Sequence, residues 1–290
     1  MKIVLSKYAG FCGGIERAYE MAMKASESKK TKKPIFMLGS LAHNEDVVRK
    51  IEESGIKKIK FNGNLKKLFD SKRKIGTLII TAHGIGPKIY ELCRQKEIDI
   101  IDTTCPKVVK VQRLAELFSR KGEKTIIIGG KKHKEVKGTK EWSGRKAIVI
   151  ENEKDLKNIK WGKNDKINII SQTTQNERFI KKFISLIKAE YPSSKFINTI
   201  CLTTSNRQKE VRMMAKKCDV MIIIGSPRSS NSTNLWKISK EINPRSHFIE
   251  RAEDIDQKWL KNSQKIGITA GASVPSWVIN EVCLFLKKKL

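Results

Sequence analysis

No apolar run in this chain approaches the 18 or more residues that a membrane-spanning helix requires. The opening Met1-Lys2-Ile3-Val4-Leu5-Ser6-Lys7 has too short an apolar core for a secretory signal. The expectation is a soluble, cytoplasmic protein with no membrane partner. Acidic residues are also few, with 30 Asp and Glu against 60 Lys and Arg and a formal charge of +30. That excess draws anionic ligands and acidic partners in a salt-dependent way. It does not argue for nucleic acid, because no element interleaves Arg with aromatics. The cations are mostly Lys, 47 of the 60, scattered along the whole chain, which is also what an AT-rich genome imposes.

Six cysteines in a reducing compartment read as metal ligands, catalytic thiols or inert core residues rather than as a disulfide framework. Cys93, Cys218 and Cys283 lie in helical patterns and are expected to pack as small hydrophobes. The other three behave differently: Cys12, Cys105 and Cys201 are separated by 93 and 96 residues, and each follows a strand-like run. That interval is too long for a local zinc clip.

Polar residues recur after each of these cysteines at similar offsets. His43 and His83 follow Cys12 by 31 and 71 residues, His133 and Thr173 follow Cys105 by 28 and 68, and Ser229 and Ser273 follow Cys201 by 28 and 72. Three of the four histidines in the chain fall in this pattern. A period near 95 residues points to three small domains: 1–104 with Cys12, His43 and His83; 105–200 with Cys105, His133, Glu135 and Thr173; 201–290 with Cys201, Ser229, Asn231 and Ser273.

Short β-branched runs alternate with amphipathic helical stretches, which argues an α/β fold with mainly parallel sheets. Strands are expected at 2–6, 77–81, 98–102, 125–128, 167–171, 220–224 and 265–269, and helices at 15–26, 107–120 and 206–217. Each of the three cysteines then occupies a strand-to-helix turn, where open α/β sheets collect ligands and helix N-termini present free N–H groups. If three units pack about a pseudo-threefold axis with those ends inward, three thiolates converge. Three thiolates suit a catalytic zinc, or a 4Fe-4S cluster with one iron left open, and the spacing does not separate the two.

The plainer readings of the remaining residues are a solvated loop for each histidine, a surface position for Glu45 and Glu135, and helix capping for Ser229, Ser230, Asn231 and Ser273. Capping and phosphate binding are compatible, because both use the same helix end. Glu135 lies two residues beyond His133 in a glycine-led turn, where a general acid could reach a cavity. A redox sensor with reversible thiols is an alternative, but a sensor needs no ring of phosphate-binding residues.

The motifs themselves strongly resemble the 4-hydroxy-3-methylbut-2-enyl diphosphate reductase family. They include Gly10-Phe11-Cys12-Gly13-Gly14, His43-Asn44, Ala82-His83-Gly84, Asp102-Thr103-Thr104-Cys105-Pro106, His133 to Thr139, Gln172-Thr173-Thr174, Thr199-Ile200-Cys201, Thr204-Ser205-Asn206-Arg207-Gln208, Ser229-Ser230-Asn231-Ser232 and Thr269-Ala270-Gly271-Ala272-Ser273. The resemblance implies three α/β lobes around a central 4Fe-4S cluster held by Cys12, Cys105 and Cys201, with one open iron. It implies reductive removal of an allylic hydroxyl, with reduced flavodoxin or ferredoxin as electron donor. It further implies a diphosphate cradle of His43, His83, His133, Ser229, Ser230, Asn231 and Ser273, with Glu135 as proton source and Thr173 holding substrate and Glu135 in register. One departure is Lys134, where many relatives carry Pro; φ is freed there, and no functional group is lost.

Overall fold

The computed structural model describes residues 2–59, 68–69, 74–162 and 164–289. Its strands form three four-stranded sheets, all parallel. One sheet is ordered β1 (Lys2–Leu5), β12 (Lys265–Ala270), β10 (Val220–Ile224), β11 (Ser246–Ile249). The second is ordered β3 (Lys57–Ile59), β2 (Ile35–Leu38), β4 (Thr77–Ile80), β5 (Asp99–Asp102), and the third β7 (Ile148–Ile150), β6 (Lys124–Ile128), β8 (Ile167–Ser171), β9 (Lys195–Phe196). Three α/β units with parallel sheets were expected, and three sheets are found.

Parallel neighbours need crossover connections, and the helices supply them. Among the described residues these are α1 (Gly13–Glu27), α2 (Glu45–Glu53), α3 (Pro87–Gln95), α4 (Pro106–Arg120), α5 (Lys134–Trp142), α6 (Glu153–Lys157), α7 (Glu177–Glu190), α8 (Leu202–Lys217), α9 (Ser230–Ile242) and α10 (Ser276–Lys288). Covered on both faces, the central strands read as continuous apolar runs. Met221 and Ile223 of β10 pack with Val211 of α8 and Leu235 and Ile238 of α9. Ile222 and Ile224, pointing the other way, pack with Val278, Val282 and Leu286 of α10. The third sheet repeats the arrangement, with Ile127 and Ile170 against α4 and α5 and Ile126, Ile128 and Ile169 against α7. Removing one such isoleucine side chain to Ala costs about 2–5 kcal/mol.

The linear boundaries expected at 104/105 and 200/201 do not describe β1. Its four residues pair with Lys265 to Ile268, so the N-terminal strand completes the sheet of the C-terminal third. By compactness the chain divides into one unit of Met1–Glu16, Ala42–Arg49 and Cys201–Leu290, and another of Arg17–Leu41 and Lys50–Ile200. Local periodicity cannot reveal a partner strand some 260 residues away. Helix α8 also starts at Leu202 rather than Asn206, because its buried face is polar in its first turns, with Thr204, Arg207 and Gln208 inward. Among the described residues no helix is long and apolar enough to cross a membrane.

Candidate active site

Within the unit that holds the first sheet, Cys12 directly precedes α1, and its carbonyl accepts the first helical bonds from Ile15 and Glu16 N–H, both at 2.9 Å. Cys201 is the N-cap of α8 in extended conformation, and its thiol makes no capping bond. Both are half-buried free thiols. Arg207 lies six residues into the same segment, is 3% exposed, and donates through Nη2 to the Gly10 carbonyl. Burial pulls the Arg207 pKa down, opposed by the charges of Cys12, Cys201 and Glu210. Its Nε has no hydrogen-bond partner. Glu210, one turn on, accepts from Ser6 Oγ, from Lys7 N–H at 3.1 Å and from Tyr8 N–H at 3.3 Å. The loop leading to Cys12 is thus tied to α8 at two points.

The same unit contains the polar start of α9. Ser229 is its N-cap, and the Ser229 side chain accepts from Ser232 N–H at 3.3 Å. A methyl group added at Gly225 or at Gly271 would collide with Ser232 Oγ, so this helix end is wedged between the ends of β10 and β12. Asn231 is buried, and its Nδ2 has no partner. An unsatisfied buried donor of this kind costs about 1–3 kcal/mol, which an incoming acceptor removes. Ser230 opens the helix, Ser273 follows Gly271 after β12 and is buried, and His43 is half-buried beside Asn44, whose Oδ1 caps α2 through Val47 N–H at 3.1 Å. Glu45 is an exposed carboxylate as expected, pairing with Arg228 at 3.4 Å and Arg251 at 3.3 Å.

In the other unit, Cys105 caps α4 with Pro106 at the first helical position, and again no side-chain capping bond forms. Its N–H donates to the Ala82 carbonyl at 3.0 Å, which binds the Cys105 turn to the residue before His83. The His83 and His133 rings meet edge to face, with centroids 5.6 Å apart. His133 is the N-cap of α5, its N–H bonded to Gly130 O at 2.9 Å. Gly129 must lack a side chain, since a Cβ there would approach Gln172 Cβ and Val136 Cγ2 to 2.9 Å. The resulting close fit of α5 on the third sheet puts Glu135 beside the end of β8. Glu135 is 2% exposed; Thr173 N–H reaches Oε1 at 2.6 Å and Thr173 Oγ1 reaches Oε2 at 2.8 Å.

Burial raises the Glu135 pKa to about 7 despite the two opposing bonds from Thr173. A carboxyl poised there can hold and release a proton near neutral pH. The second plain reading, a surface position for Glu135, is therefore wrong. Cys93, Cys218 and Cys283 each have their thiol pKa pushed up by burial, that of Cys93 to about 11. Cys93 and Cys218 lie in apolar clusters and Cys283 packs against one, which matches core packing; Cys218 sits just past the end of α8 rather than within it. Lys134 opens α5, with its Nζ against Gly39, and burial lowers its pKa. Among the described residues no three His, Cys, Asp or Glu side chains are grouped to hold a metal ion. Sequence reasoning gave no role to Arg207 or Glu210; their buried or carboxylate character inside a polar helix face was the available signal.

The LytB protein family matches residues 3–287. A 4-hydroxy-3-methylbut-2-enyl diphosphate reductase of Caldanaerobacter subterraneus subsp. tengcongensis is 38% identical over 282 residues, 97% of this chain and 95% of that protein. The structure of the E-1-hydroxy-2-methyl-but-2-enyl-4-diphosphate reductase of Plasmodium falciparum superposes with a TM-score of 0.88 at 31% identity, covering 99% of this chain and 87% of the other. A further solved structure, described as the terminal enzyme of the non-mevalonate pathway, gives a TM-score of 0.70 at 35% identity, covering 99% and 100%.

Proposed function

The chain belongs to the LytB protein family of 4-hydroxy-3-methylbut-2-enyl diphosphate reductases, and we propose how its own side chains divide that reaction. The chain is an iron-sulfur oxidoreductase of the non-mevalonate isoprenoid pathway. It removes the allylic hydroxyl of 4-hydroxy-3-methylbut-2-enyl diphosphate to give isopentenyl and dimethylallyl diphosphate; two electrons and two protons enter, and water leaves.

Cys12, Cys105 and Cys201 are the proposed ligands of one 4Fe-4S cluster. Their chemistry fits it: all three are cysteines outside any disulfide, at or directly before helix starts, and the Cys105 and Cys201 side chains make no capping bond; a buried guanidinium with an unpartnered Nε lies within electrostatic reach of two of them. When bound, such a cluster supplies electrons and, with three cysteines, leaves one iron as a Lewis acid.

The observation that carries the division of roles is the buried Glu135 clamped by Thr173. In this reading the protonated Glu135 delivers a proton to the substrate, and the Thr173 hydroxyl keeps carboxyl and substrate in register. His83, His133, His43, Ser229, Ser230, Asn231 and Ser273 bind the diphosphate. Donors of this kind suit that task because a desolvated diphosphate needs many hydrogen bonds, and those to an ionised acceptor are roughly twice as strong as neutral pairs. The unpartnered Asn231 amide supports a place among them. The charge balance of 60 cations to 30 anions supports an acidic one-electron carrier, a flavodoxin or ferredoxin, as donor.

The test is anaerobic: iron and acid-labile sulfide per chain, the absorption spectrum, and product formation from the allylic diphosphate with a reduced donor. Conversion to both products by an iron-loaded protein is expected. An iron-free protein that turns over at full rate would overturn the reading.

A further inference from the structure

We propose that Arg207 is a positioning residue for the iron-sulfur centre, a fixed buried cation that stabilises its reduced state while holding the Cys12 loop on the helix that Cys201 begins. The inference rests on the cluster reading above. It adds a residue for which neither the capping pattern nor the proton-delivery pair accounts.

Arg207 is nine-tenths or more buried, at 3% exposure. A buried guanidinium is costly unless anions or acceptors compensate it. Here it has one backbone acceptor, the Gly10 carbonyl two residues before Cys12, and an Nε–H with none. The acidic groups whose charges favour its cationic form are Cys12, Cys201 and Glu210. Glu210 is engaged by three donors of its own, from Ser6, Lys7 and Tyr8. The two cysteines are therefore the acids left for the Arg207 charge to answer.

The consequence is directional. Each electron passed from a one-electron donor oxidises that donor by one and adds one negative charge to the centre and its thiolates. A fixed cation beside two of those thiolates favours the more negative, reduced state. Met in place of Arg removes the charge with similar volume, and Lys keeps the charge but not the guanidinium fork.

The experiment is an anaerobic one-electron redox titration of wild-type, Arg207→Met and Arg207→Lys holoprotein, with iron per chain measured in parallel. Arg207→Met is expected to shift the midpoint to more negative potential by at least a tenfold change in the one-electron equilibrium, about 59 mV, with Arg207→Lys recovering most of it. A Met variant titrating within threefold of wild type, or Met and Lys variants shifted alike, overturns the proposal. Should the Met variant lose its iron, the Lys variant decides: retained iron supports the fixed charge, and iron lost from a folded Lys variant refutes it. A wild-type protein that binds no iron and sulfide sinks the cluster reading instead, so the two failures are distinguishable.

Discussion

Replacing Glu135 by Gln tests the site at its most constrained point. The carboxyl has its pKa raised from 4.5 to about 7 by burial, and at 1.36 kcal/mol per pH unit that corresponds to about 3 kcal/mol of preference for the neutral form. Near pH 7 the group is roughly half protonated. As a proton donor it loses its active form as pH rises, so the wild-type kcat/KM should fall through a limb near pH 7. Gln preserves the shape and can still accept from Thr173 N–H through its amide oxygen. It has no proton to give, and turnover should drop by roughly 10² to 10⁴. Substrate binding should stay within about tenfold, or roughly 1.4 kcal/mol. Comparing variant and wild type across pH removes the substrate's own ionisation, which both share, so the limb belonging to Glu135 should be absent in the variant. The same raised pKa makes folding less favourable as pH climbs from 4.5 through about 7, because the folded chain then binds more protons than the unfolded one. A Gln enzyme with near-normal turnover, or with the limb intact, would move the proton source to the substrate diphosphate or to a water held by Thr173.

The remaining perturbations separate the other roles. Ser at Cys12, Cys105 or Cys201 should strip or degrade the cluster, while Ser at Cys93, Cys218 or Cys283 should leave iron per chain intact at only a packing cost; full iron loading in Cys105→Ser would contradict the ligand set. Thr173→Val removes an O–H donor that lowers the Glu135 pKa, so the kcat/KM limb should move above pH 7, and an unmoved limb would show that Oγ1 does not govern it. His43→Ala should weaken substrate binding first, a KM effect larger than the kcat effect, because the lost donor serves ground and transition states alike; anaerobic substrate titration checks this. Reduction by an acidic flavodoxin or ferredoxin should slow steeply with added salt, and a flat response in stopped-flow kinetics would reduce the lysine excess to composition.

Much of the scaffold was legible because its central strands are unbroken apolar runs. Val220 to Ile224 and Ile167 to Ser171 are strands where the β-branched pattern put them. The short strands at 35–38, 57–59, 148–150, 195–196 and 246–249 were not read, since two to four residues give periodicity little to act on. Pairing order was beyond reach for the same reason that β1 was misplaced: register between distant strands is a tertiary property. For the proposed site, the residue types and their recurrence single out Cys12, Cys105, Cys201, His83 and His133, and the glycine-led turn singles out Glu135. The contact of Arg207 with Gly10 spans 197 residues, and nothing local to either announces it.

Asn176 and Asn152 cap their helices in the ordinary way, with side-chain oxygens accepting from Phe179 and Asp155 N–H, an arrangement worth about 1 kcal/mol over a residue that cannot cap. At Cys105, His133 and Cys201 the backbone takes up the same extended N-cap conformation, yet the side chain makes no capping bond. A Ser or Asn at each would stabilise the fold more. Pro106, whose missing N–H belongs among the unsatisfied donors of a helix start, lessens the loss at Cys105. His133 and Cys201 have no such compensation at the first helical position, which is Lys134 and Leu202. Stability is given up where the extended N-cap backbone carries a thiol or imidazole at a helix N-terminus, the place where an anion is most favourably met.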